Sequence, residues 1–243
     1  MNDTLPLRTA LIGLIGFASL EEELLLAVVA RSDPDPGSPG RWAARPLIAH
    51  NTDFKDQQVQ RLEAIRKGEA PPAFAEVDHT AQEVYLRYSK QGADVVAQTS
   101  RRTTSALVDG VSATSDEDLL DPSRNPWLAG RKLWLQIVVR GFWHPTGHLG
   151  DYYLAHGQPD RAVALQSQAV AQGLYLGAPD EALGMAHYNL ACAQARAELP
   201  DDALSTLGEA VGLNADLRVN VTRDSDLASL RVGGRLDALL GPP

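Results

Sequence analysis

The chain of 243 residues carries a formal net charge of -9. It has no basic cluster longer than the pairs Arg101-Arg102 and Arg131-Lys132, so no phosphate-neutralising surface and no nucleic-acid partner is expected. Ala and Leu dominate its apolar share and aromatics make up only 6%, a composition that favours packed helices and predicts almost no strand. Cys192 is the one cysteine; it cannot form an internal disulfide and fits a reducing, cytoplasmic compartment.

The first element is expected from about Leu5 to Arg31. Arg8 followed by the apolar run Ala10 to Leu20 superficially resembles an export signal, but Glu21, Glu22 and Glu23 interrupt it. The apolar spacing then continues through Leu24, Leu25, Leu26, Val28 and Val29, which reads as one amphipathic helix too short in apolar length for a bilayer. Prolines and glycines between Ser32 and Gly40 stop it. A second helix is expected from Pro46 to Lys67, with Gly68 as its stop. A third is expected to start at an Asp78 N-cap and run unbroken through Tyr85, Leu86, Val95, Val96 and Leu107 to Val111. A turn opened by Ser115, with Asp118 three residues on, precedes Asp121-Pro122 and Asn125-Pro126. The fourth helix is expected from Trp127 to about His156. Four such segments predict an all-α, up-down four-helix bundle over residues 1–156, an architecture that commonly places metal sites between facing helices.

His144 and His148 are four residues apart, a spacing that puts two imidazoles on one helical face. His50 lies on the second helix, one turn after Pro46, on a stripe continued by Phe54, Gln57 and Arg61. Three imidazoles would leave at least one position of a divalent ion open, as in catalytic sites, and suit zinc, nickel or iron. Asp53, one turn beyond His50, is the candidate base or imidazole-orienting acceptor. Pro145 between the two ligands predicts a kink. Trp143 and Tyr152 are candidate substrate contacts; Trp127, Trp134 and Phe142 are expected to fill core and pocket walls. His79, at the start of the third helix, and His156, before Gly157 at a helix end, are expected to serve as cap or surface residues.

Trp42 with Ala49-His50-Asn51 on the second helix, and Phe142-Trp143-His144-Pro-Thr-Gly-His148 on the fourth, resemble the DinB and YfiT-like superfamily of four-helix bundles. The resemblance covers about residues 1–156. It implies that His50, His144 and His148 bind a divalent metal. It further implies transfer of a low-molecular-weight thiol, such as bacillithiol or mycothiol, to an electrophile, in detoxification or a stress response. Metal-dependent hydrolysis is the alternative within that family. A thiolate prepared at the metal needs no protein cysteine.

Residues 157–243 read differently. The stretch Leu149-Gly150, Tyr153, Gly157, Asp160 and Ala162 is echoed forty-one residues later. The unit Ala186-His-Tyr-Asn-Leu-Ala191, Asp201 to Leu204, Leu207, Ala210 and Asn214 resembles a tetratricopeptide repeat, with Ala191 and Ala203 at close helix approaches. The first unit is expected to share the helix 127–156. Leu217 to Thr222 is read as a connection and Leu227 to Leu240 as a terminal cap. Cys192 is expected to be a small buried contact residue. His187 and Asn189 are candidates for a protein or peptide contact, or for self-association. These repeats carry a second functional expectation of another class, a non-catalytic adaptor.

Overall fold

Apolar residues at helical spacing, interrupted by Pro and Gly, set the local structure. The computed structural model describes residues 4–29, 37–38, 41–74, 81–234, 236 and 239. Among them the chain is all-α, apart from a two-residue antiparallel pairing of Gly37 with Trp42 and Ser38 with Arg41. No helix among the described residues is long and apolar enough to cross a membrane.

Helix α1 spans Thr4–Val29 and α2 Ala44–Lys67. Helix α2 ends as its sequence predicts: Gly68 takes the left-handed conformation (φ 72°) and Glu69 N–H bonds back to Ala64 O, a Schellman closure. The expected third helix is divided. Helix α3 covers Ala81–Tyr88 and α4 Ala93–Ala113, separated by Ser89, Lys90, Gln91 and an extended Gly92 (ψ 149°) that occupies the N-cap of α4. Gly92 gives up backbone freedom inside a helix but serves well at a cap. The Asp78 cap and His79 lie outside the described residues. Ser115 caps the short α5, Asp116–Leu120, by accepting from Asp118 N–H at 3.0 Å, as its spacing predicts.

The fourth helix begins later than Trp127. Pro122–Arg124 and Pro126–Leu128 form 3-10 turns, and left-handed Ala129 (φ 52°) and Gly130 (φ 86°) end the second of them. From Leu133 the chain is helical to Ala155: α6 is Leu133–Val138, a π-turn covers Val139–Trp143, and α7 is His144–Ala155. The π-turn is the structure's answer to Pro145. His144 N–H bonds to Val139 O, five residues back, so α-helical register restarts at His144 and Pro145 falls in the first turn of the new run. There its missing N–H is tolerated.

By its internal packing the chain divides into residues 1–145 and 146–243, a boundary inside α7. In the first unit α1, α2, α4 and the α6–π segment pack on one another around Leu11, Ile15, Ile48, Leu107, Ile137 and Phe142, all at most 1% exposed. Gly141 is required at that contact, since a Cβ there would meet Ile15 Cγ1 at 2.7 Å. A polar group sits within this core. Glu22 and Lys55 are fully buried and joined at 2.6 Å, and Asn51 and Ser100 donate to the same carboxylate at 3.0 and 3.3 Å.

In the second unit α8, Pro159–Tyr175, α9, Asp180–Arg196, and α10, Pro200–Leu213, follow each other through near-identical turns. Each turn has a left-handed residue, Gly157, Gly177 or Glu198, then one residue, then Pro and Asp. In each, the intervening residue bonds to a carbonyl five residues back: Gln158 to Tyr153, Ala178 to Gly173 and Leu199 to Gln194. This is the Schellman stop followed by a proline start. Helix α9 packs against α8, α10 and the 3-10 segment Ser225–Gly234. Ala191 and Ala203 are fully buried, and Gly184 lets α10 approach so closely that a Cβ would meet Asn214 Cβ at 2.6 Å. Leu217 to Thr222 lies in short helical turns rather than a strand. Leu227, Leu230 and Leu236, from the expected cap, are buried.

Candidate metal centre

His50 stands in the second turn of α2 and His144 at the first position of α7. Within the first unit their Nε2 atoms are 3.2 Å apart. Aromatic rings fix both imidazoles. Trp42 meets the His50 ring edge-on at 5.6 Å and Phe54 at 4.6 Å, while Phe54 lies nearly parallel to His144, 4.2 Å away at 17°. The Arg140 guanidinium stands 4.4 Å from the Phe54 centroid.

Because α7 restarts in α-register at His144, His148 follows one turn along the same helix and is positioned by that helix alone. At that spacing the His144 and His148 side chains share one helical face, with Cβ atoms about 5–6 Å apart. Bonds of about 2.0–2.1 Å to a tetrahedral ion put two ligand nitrogens about 3.3 Å apart. The separation of His50 and His144 meets that value. The donor set, three imidazoles with no carboxylate or thiolate among them, fits a borderline divalent ion such as zinc, nickel or iron. A third of the His148 side chain reaches solvent (33%); enclosure of the rest pushes its pKa down to about 4, so the ring is neutral at physiological pH, as a ligand must be. Asp151, one turn further on, has Oδ2 3.8 Å from His148 Nδ1 and also pairs with Arg196.

The remaining candidates are placed as follows. Asp53 bonds to Gln57 Nε2 at 3.3 Å and to the Tyr88 hydroxyl, whose pKa is pushed up by burial and by that carboxylate. The Tyr88 ring stands 5.9 Å from the His50 imidazole. Trp143 is half-buried at the end of the π-turn. Tyr152 is buried and stacks on His156 at 4.0 Å. His187 is 8% exposed and faces Glu209 at 3.2 Å, and the Asn189 amide packs over Gly147. Trp134 and Phe142 are core residues, and Trp127 lies under Arg61 at 5.2 Å.

Sequence reasoning passed over Tyr88 and Arg140. Tyr88 lies beyond a stretch with no signal tying it to His50, and Arg140 reaches the site by way of the π-turn. In the sequence Phe54 belongs to the His50 stripe, and its spacing of four from His50 is the available clue.

Comparisons of the chain with protein-family models, with curated proteins and with solved structures give no match.

Proposed function

We propose that the chain is a metal-dependent enzyme with a DinB-like four-helix bundle, which transfers a low-molecular-weight thiol to an electrophile at His50, His144 and His148. The observation that supports this reading best is the 3.2 Å approach of two Nε2 atoms from separate helices, held by Phe54 and Trp42. A divalent ion, when bound, would keep an external thiol as its thiolate at neutral pH. The protein's own part is to present three imidazoles, to orient two of them by aromatic packing, and to leave a coordination position for the incoming sulfur. Cys192 takes no part: it donates to Asp224 Oδ2 at 3.8 Å, and burial with the neighbouring carboxylates pushes its thiol pKa far up. The second unit, with its tetratricopeptide-like hairpins, would extend the bundle or support self-association.

The test is thiol conjugation by the full chain loaded in turn with zinc, nickel or iron, using a chromogenic aryl halide and a panel of low-molecular-weight thiols. A metal-dependent rate that falls by at least about a hundredfold in His144→Ala is expected, since loss of a ligand dismantles the site. An equal rate in wild type and His144→Ala would overturn the reading. Turnover of ester or amide substrates without thiol would replace transfer by hydrolysis.

A further inference from the structure

A cavity of about 260 Å³ opens in the first unit between α2, α3 and α4, and none of the three histidines lines it. At about 30 Å³ per water it holds the equivalent of eight or nine waters. Its wall includes Thr52, Asp53, Asp56, Tyr88, Gln91 and Thr103. Asp53 and Asp56 sit three residues apart on one face of α2, and no Lys, Arg or His is in the lining. Asp53 receives Gln57 and Tyr88, and Asp56 Oδ2 receives Gln60 Nε2 at 2.6 Å. All of these donors are neutral, and the Arg87 guanidinium acts on the Tyr88 hydroxyl. An ionised carboxylate has about four acceptor sites, so each retains capacity for a ligand.

A second observation points the same way. Thr103 is 8% exposed and lines the cavity, yet its hydroxyl makes no hydrogen bond among the described residues. Thr52, also in the wall, is by contrast satisfied by Ile48 O at 2.7 Å. A hydroxyl on the cavity wall can both donate and accept, and so can meet a polar group at that end of a ligand.

We propose that this cavity binds a small organic ammonium ion carrying a second polar group, such as an amino alcohol or diamine. Its ammonium is held by Asp53 and Asp56 on α2, and its other end by the Thr103 hydroxyl on α4. A wall with two carboxylates and no cationic side chain in its lining repels anions and favours a cation over a neutral molecule, because only a cation gains the charge interaction. The site stands apart from the metal reading and does not need it.

The probes are ethanolamine and putrescine, titrated calorimetrically into the full-length chain, with ethylene glycol and glycolate as the neutral and anionic counterparts. Saturable binding of at least one amine with unit stoichiometry is expected, at least tenfold tighter than either counterpart. Asp56→Asn should weaken it about tenfold and the isosteric Thr103→Val severalfold, each variant being checked for an unchanged unfolding transition. Should Asp56→Asn fail to fold, Asp53→Asn supplies the charge test. His148→Ala, which removes a metal ligand, should bind the amine as the wild type does, so failure of the metal reading leaves this result standing. Absence of saturable amine binding, equal binding of ethylene glycol, or unchanged affinity in both Asp56→Asn and Thr103→Val would overturn the proposal.

Discussion

Phe54 lies nearly parallel to the His144 imidazole, 4.2 Å away at 17°, and edge-on to His50 at 4.6 Å. One phenyl ring thus braces two imidazoles from different helices. Residues that orient ligands without touching the ion typically govern affinity by about 10–100-fold. Phe54→Ala should therefore weaken divalent-metal binding about tenfold while the fold persists, and Phe54→Leu, which restores bulk without a flat face, should recover part of the loss. Competition with a chromophoric chelator measures this; equal affinity in all three proteins would remove Phe54 from the account.

The buried pair of Glu22 and Lys55 supports the α2 scaffold from within. Leaving one charge uncompensated in a core costs about 3–5 kcal/mol, whereas replacing both partners by apolar groups of similar volume is often neutral. Lys55→Met alone should lower the unfolding free energy by about that amount, and Glu22→Leu with Lys55→Met should restore part of it, since Asn51 and Ser100 then lose their acceptor. Urea unfolding of Lys55→Met, Glu22→Leu and the double variant decides the point, and simple additivity of the two substitutions would contradict it.

Cys192 gives a prediction in alkaline solution. Its folded-state pKa is raised by burial and by Asp224, Asp226 and Asp151, so the folded protein keeps a proton that the unfolded chain releases above about pH 8.5. The folded state then binds more protons, and stability present below that pH is lost as pH rises. Between pH 8.5 and 10 this residue should contribute a loss approaching about 1.4 kcal/mol per pH unit. Cys192→Ser, which does not titrate there, should show a correspondingly shallower slope; parallel slopes would refute the assignment. Tyr188, whose hydroxyl donates to Asp224 at 2.7 Å, adds its own loss only at higher pH.

Much of this architecture is legible in the chain because Pro and Gly carry conformational instructions. The Gly68 stop, the Ser115 cap and the small residues Ala191 and Ala203 all act as their chemistry dictates. The break in the third helix was hidden, because Ser89, Lys90 and Gln91 are individually compatible with a helix and only Gly92 marks the new cap. The π-turn was hidden as well. Pro145 announces a departure from regular helix, but whether the chain kinks or inserts a residue depends on packing, here on Gly141 against Ile15. The histidines could be paired from spacing along one helix and from a resemblance. The ammonium cavity could not, because Asp56, Tyr88 and Thr103 come together only when α2, α3 and α4 pack.

The central claim is that His50, His144 and His148 form one divalent-metal site. Elemental analysis of the full chain, dialysed against zinc, nickel or iron and then freed of excess ion, tests it most directly. The account predicts one tightly held ion per chain, lost in His50→Ala and in His144→Ala and held at least about tenfold more weakly in His148→Ala. No stoichiometric ion, or the same content in wild type and His144→Ala, would contradict it.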